Sequence, residues 1–287
     1  MIVDSHVHVV STDEKAYPIR QMTALFDGIP RHLAASALWY RTMPIPAEQL
    51  LKLMEEAGVE RAVLVQPVIA YSYDNSYTTD SARHYPGKFV AIGAIDMLEK
   101  GAPDRLSYWV KERGMAGLRL FTGRDASWID DPRTFPVWER ASTFKLPICI
   151  HVGQHELPRI RDLLKRFPSV PLLLDHLASP HIGGDHPPEA PMGLFELAKF
   201  PNLYLKFSTM NFDALGTKPG LIHDVFQQLV ERFGAERMMW GSNFPTTHNR
   251  PYKAMVELAQ ESLAFLGEEN LKWLLGETAL RLWPALA

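Results

Sequence analysis

Eight short apolar, β-branched runs recur along the chain, and the stretches between them are each long enough to hold a helix. They are Ile2-Val3, Arg61 to Gln66, Phe89 to Ile95, Gly117 to Phe121, Ile148 to His151, Leu172 to His176, Leu203 to Phe207 and Met238 to Gly241. Antiparallel strands join through tight turns, but parallel strands need a crossover of helix length, so this rhythm predicts a parallel sheet of βα units. Eight such strands close into a (β/α)8 TIM barrel, whose usual size of about 250 residues suits a chain of 287. One barrel domain over residues 1–287 is the expected organisation.

Helical punctuation supports that reading. Pro46 to Gly58 opens on proline, repeats apolar residues at helical spacing and stops at glycine. Leu157 to Phe167, Leu221 to Phe233 and Tyr252 to Leu266 carry similar signals, and Leu271 to Trp283 reads as a closing helix. Val10 to Ile45 fits no βα unit: it is long, aromatic and interrupted by proline, and is expected to be a lid over the barrel mouth. Pro180 to Pro191, rich in glycine and proline, is a second loop expected over the same face.

Several function classes lose their footing. Thirty basic against 33 acidic residues give a net charge of −3, without the basic excess that nucleic acid or an anionic membrane selects. The first residues lack the basic and apolar regions of a secretory signal, and no apolar run approaches a membrane span, so a cytoplasmic protein is expected. Whether copies associate is left open, and a homo-oligomer is compatible with this composition. The single cysteine, Cys149, lies in an apolar run and reads as a small buried hydrophobe. No G-x-G-x-x-G follows a strand, and neither a P-loop nor a G-x-S-x-G elbow occurs.

Polar residues collect where the predicted strands end, the face on which such barrels place their active sites. His6 and His8 share a strand face by the two-residue period, and His151, His176 and Asn243 end strands five, six and eight. Four imidazoles then converge on one pocket, a donor set suited to zinc or another borderline divalent ion, or to proton transfer. Arg119, inside an otherwise apolar strand, needs a partner or a ligand, and Arg124 follows it; planar guanidinium forks grip carboxylates, so a small anionic organic substrate is expected. Tyr71, Tyr73, Trp128 and His248 lie on predicted loops and are candidates to line the pocket. Lys206 alternates with Tyr204 on strand seven, as a pocket cation or a pairing partner.

Asp4-Ser-His-Val-His8, His151, Leu174-Asp-His176 and Trp240-Gly-Ser-Asn-Phe-Pro245, in this order across nearly the whole chain, resemble the amidohydrolase superfamily. The similar branch is the amidohydrolase-related group of TIM-barrel hydrolases, which includes 2-pyrone-4,6-dicarboxylate lactonase and other lactonases. The resemblance implies a hydrolase that opens a lactone of a carboxylic acid. It implies His6, His8 and His151 as ligands of one divalent metal, zinc first, although some lactonases of the branch work without metal. His176 and Asn243 match catalytic positions, His151 serves in both roles, and Arg119 matches a carboxylate-binding arginine. Asn243 stands where most of the superfamily has aspartate; an amide can neither bind metal as an anion nor take a proton from water. Two other readings share the scaffold: a non-oxidative decarboxylase of a small acid, and a catalytically silent ligand-binding homologue.

Overall fold

A computed structural model describes residues 1–20, 38–122, 125–178, 192–216 and 220–287. All eight expected strands form: β1 (Val3–Val7), β2 (Arg61–Val65), β3 (Phe89–Gly93), β4 (Met115–Phe121), β5 (Ile148–His151), β6 (Leu172–Leu174), β7 (Leu203–Ser208) and β8 (Met238–Gly241). They pair in parallel in that order as one eight-stranded sheet. Beyond the paired strands, the circle is completed by Asn243 N–H donating to His6 O and His8 N–H donating to Phe244 O, each at 2.8 Å.

Helices fill the intervals: α1 (Ala47–Ala57), α2 (Ser76–His84), α3 (Ala102–Lys111), α4 (Phe135–Phe144), α5 (Leu157–Arg166), α6 (Thr209–Leu215), α7 (Leu221–Phe233) and α8 (Tyr252–Leu263). α1 shows how the sequence sets the bounds. Pro46 precedes its first turn, Leu50 and Met54 face the core four residues apart, and Gly58 ends it at φ 70°, a left-handed conformation that glycine adopts without cost. The closing segment runs through 268–282 and carries a π-helical turn at Trp273–Glu277. Among the described residues no helix is long and apolar enough to cross a membrane.

Two apolar clusters result. The larger lies between sheet and helices; the smaller fills the barrel interior with Val3, Val63, Val65, Val90, Ile92, Cys149, Leu173 and Met239. Trp283 and Leu286 belong to the interior cluster. Trp283 Nε1–H donates to Ala116 O at 3.1 Å, and Leu286 O accepts from Arg61 Nε at 3.0 Å. Cys149 is fully buried, which pushes its thiol up to about 11 and fits the packing role expected of it.

Of the lid expected over Val10 to Ile45, residues 21–37 lie outside the described residues, as does the second loop, 180–191. The flanks of the first are defined: Val10 N–H donates to Ile45 O at 2.8 Å, and Trp39 and Tyr40 are buried.

Candidate active site

Strand β1 does not alternate evenly. Its pairing with β2 shifts between Asp4 and Val7, an irregularity that adds one residue to the strand. Val3 faces the interior cluster before the shift, and Val7 faces the outer core after it. His6 and His8 therefore flank Val7 and turn inward together, as the two-residue period requires. Their rings meet edge to face at 5.1 Å between centroids.

Asp4 anchors this turn from outside. Its carboxylate accepts from His6 N (3.0 Å), Ser242 N (2.8 Å) and Tyr252 Oη (2.9 Å), tying β1 to the end of β8 and to α8. Burial raises its pKa against these bonds. On the facing strand, a Cβ at Gly241 would lie 2.5 Å from His6 Cβ and 2.7 Å from His6 N. Only glycine permits that approach.

His176 enters by a different route. β6 ends at Leu174, two residues earlier than the expected strand, and alternation from inward-facing Leu173 points Asp175, not His176, into the barrel. The backbone then turns left-handed at three consecutive residues, His176 (φ 54°), Leu177 (φ 58°) and Ala178 (φ 50°). Each costs an L-residue about 1–2 kcal/mol, so the turn persists only because its surroundings hold it. It carries the His176 ring to 4.8 Å from His6 and 6.0 Å from His151. His151, at the end of β5, stacks on Phe121 at 4.8 Å. The four expected imidazoles thus form one cluster.

Burial drives all four toward the neutral form: to about 3 for His8 and His176, to about 4 for His151, and well below the ordinary value for His6. The Arg119 charge adds to the effect at His8, His151 and His176. His8 Nδ1 lies 2.8 Å from Val65 O, and because a carbonyl only accepts, His8 holds its proton on Nδ1.

Sequence reasoning quoted Asp175 as part of a motif but did not place it in the site. It is fully buried, with Oδ2 3.2 Å from Arg119 Nε and Oδ1 facing His6 Nδ1 at 3.4 Å, longer than a normal hydrogen bond. Burial opposes its ionisation, yet His6 foremost, then Arg119 and Lys206, hold it well below the usual carboxylate range. The missed signal was parity: Asp175 is two residues from Leu173. Arg119 is 5% exposed and places its guanidinium 5.2 Å from the Phe121 ring. Lys206 is fully buried and turns down the barrel, its Nζ donating to Ser5 O at 2.8 Å and lying 5.4 Å from the Trp283 ring. Of the two roles expected for it, this is the pairing one.

Asn243 adopts φ 59°, a conformation asparagine tolerates better than most residues, and its side chain hydrogen-bonds His8 and donates to Thr247 Oγ1 at 3.0 Å. Trp39 stacks over His8 at 5.9 Å.

Tyr71, Trp128 and His248, expected as substrate contacts, each have protein partners of their own. Tyr71 is buried with its hydroxyl accepting from Ser11 N at 2.8 Å, and it lines a cleft with Tyr73, Arg20 and Arg105. Trp128 packs part-buried against the outer core. His248 is exposed, its Nδ1 2.9 Å from Pro245 O. Arg124 lies outside the described residues.

Among the described residues no group of three or more His, Cys, Asp or Glu has metal-holding geometry, so the set His6, His8 and His151 is not assembled as ligands. Yet His6 and His8 each turn Nδ1 to an oxygen, of Asp175 and Val65, the support an imidazole receives when it ligates through Nε2, and His6 Nε2 and His151 Nδ1 are buried without a protein partner.

Comparison with known proteins places this geometry. An amidohydrolase family model matches residues 3–285. The chain is similar to an L-fucono-1,5-lactonase of Burkholderia ambifaria, 28% identical over 204 residues that span 70% of each protein. Its fold matches a Pseudomonas putida protein assigned as a 2-pyrone-4,6-dicarboxylic acid hydrolase (TM-score 0.78, 21% identity, 100% of this chain and 98% of that one). It also matches a Burkholderia multivorans amidohydrolase solved with bound zinc (TM-score 0.77, 19% identity, 99% of both chains). A parallel eight-stranded barrel with inward histidines from β1, β5 and the β6 turn, matched along almost its whole length, makes this chain a member of the amidohydrolase family of hydrolases.

Proposed function

We propose that the chain hydrolyses the lactone of a small carboxylic acid. The observation that carries this is a cluster of four neutral imidazoles beside the buried Arg119 guanidinium at the C-terminal end of the barrel. Similarity to a fuconolactonase supports it. Arg119 spends Nε on Asp175 and donates from Nη1 to Gln66 O at 3.5 Å, so Nη2 is the part left to turn to a substrate carboxylate.

His6, His8 and His151 would hold a divalent ion through their ring nitrogens, and it would supply Lewis-acid chemistry when bound; every step below is assigned to side chains of the chain itself. Neutral imidazoles each keep one bare nitrogen, and His6 Nε2 has no protein partner although it is buried. Such acceptors orient a water. As the water oxygen bonds to the lactone carbonyl carbon, His176 takes its proton, and the Arg119 charge favours the oxyanion. Collapse breaks the ring C–O bond, His176 returns the proton to the ring oxygen, and a hydroxy acid leaves. Asn243 orients His8 and takes no proton.

The test is titration at constant pH with sugar-acid and unsaturated carboxy-lactones. One equivalent of base should be consumed per ring opened, without CO2. Release of CO2 from an acid without base consumption would transfer the scaffold to the decarboxylase reading; binding without turnover would leave a silent homologue.

A further inference from the structure

The residues that hold the left-handed turn also face the His176 ring. Ser208, the last residue of β7, shares the inward parity of Lys206 and is 1% exposed. Its Oγ lies 2.9 Å from His176 Nδ1. Asn211, one turn into α6 and 4% exposed, donates from Nδ2 to His176 O at 2.9 Å. The same amide accepts, at Oδ1, from Ser208 N at 2.9 Å and, in a longer contact, from Ser208 Oγ at 3.5 Å, while Ser208 Oγ accepts from Asn211 N, a reciprocal capping box at the start of α6. One amide therefore grips the carbonyl of the strained residue and, through the serine, addresses that residue's ring.

We propose that Ser208 and Asn211 are positioning residues that fix His176 with its proton on Nδ1, leaving Nε2 as the bare acceptor. The inference rests on the reading of His176 as the group that moves the proton. The argument is a count of donors. A hydroxyl has one hydrogen. If Ser208 gives it to Asn211 Oδ1, the hydroxyl oxygen must receive from His176 Nδ1–H, and both contacts are satisfied. If Ser208 gives it to His176 Nδ1, the contact with Asn211 Oδ1 is lost and the imidazole proton moves to Nε2, where it blocks proton acceptance from water. The chain Asn211 Oδ1, Ser208 Oγ, His176 Nδ1 thus runs in one direction and ends on a free Nε2.

The decisive experiment is nitrogen-15 NMR of imidazole-labelled protein at neutral pH, with the His176 signals assigned by their loss in His176→Gln. The wild type should show Nδ1 protonated and Nε2 unprotonated. Ser208→Ala should lower the Nδ1–H fraction and reduce kcat by about tenfold or more, a part of the roughly 10²–10⁴ that general acid–base catalysis contributes, with KM within about twofold. Ser208→Thr keeps the hydroxyl and the helix cap and should restore both. Wild-type His176 protonated on Nε2, or an unchanged tautomer in folded Ser208→Ala, overturns the proposal. Should loss of the cap unfold Ser208→Ala, the wild-type tautomer decides alone. The tautomer is read without turnover, so failure of the lactonase reading shows separately, as absence of hydrolysis with the Nδ1–H signal present.

Discussion

Asp175 and Arg119 are paired inside the barrel, Oδ2 to Nε at 3.2 Å, with 0% and 5% of their side chains exposed. Each shields the other from standing as an isolated buried charge. Asp175→Asn and Arg119→Met should each destabilise by about 3–5 kcal/mol, the cost of breaking a buried pair from one side. The double variant should recover roughly 1–3 kcal/mol of the summed loss. Urea denaturation of the four proteins measures the coupling, and strict additivity would show that the two charges do not sense one another.

Arg119→Met should also separate substrates. For a lactone carrying a carboxylate, kcat/KM should fall by about 10²-fold, equivalent to roughly 3 kcal/mol for a charge-assisted contact, while a neutral lactone loses less. Steady-state kinetics on a matched pair decide it: equal losses assign Arg119 to structure alone.

Acid should weaken the fold through the imidazoles. His8 and His176 sit at about 3 and His151 at about 4 in the folded chain, below the ordinary 6.5 they regain on unfolding. Between those values the unfolded chain binds more protons, so the stabilisation is complete above about pH 6.5 and is lost as pH falls toward 3. Each group adds a slope of up to about 1.4 kcal/mol per pH unit. Thermal melts from pH 7.5 to 4.5 should show Tm falling, and His176→Asn should flatten the curve. A Tm independent of pH across that range would contradict the neutral cluster.

Asn243→Asp places an anionic oxygen beside His8. Zinc affinity should rise above that of the wild type, because a carboxylate partly neutralises the ion that Arg119 and Lys206 repel. A competitive chelator titration of both proteins gives the comparison. Equal affinities would put position 243 outside reach of any ion the histidines attract.

Gly241→Ala forces a methyl group into His6, and overpacking of this kind typically costs about 1–3 kcal/mol. Hydrolysis should fall with it as His6 is pushed off its position. Full activity with an unchanged Tm would show that β1 yields freely at this point.

The barrel was legible because burial on both faces writes each parallel strand as an apolar run, and all eight runs became strands. His6, His8 and His151 followed from their places at strand ends. His176 reached the cluster by a left-handed turn that no alternation rule foretells, and the same rule, applied strictly, would have named Asp175 and Ser208. For Tyr71 and His248 the sequence offers loop membership alone. Loop direction depends on contacts such as Ser11 N to Tyr71 Oη and His248 Nδ1 to Pro245 O, which join residues by geometry and leave no periodic trace.

The interior cluster includes Trp283 and Leu286, and the Arg61 bond to Leu286 O joins residues 225 positions apart. During synthesis, β2 is made long before its partner at that bond, so the inner face of the early strands stays unfilled until residues past 283 have emerged. The barrel is therefore a late-closing fold: contacts of such high sequence separation slow folding and leave apolar strand surface open to other chains in the interval. The yield of soluble protein will depend on how quickly that last stretch docks, a kinetic demand set far from the chemistry at the opposite end of the barrel.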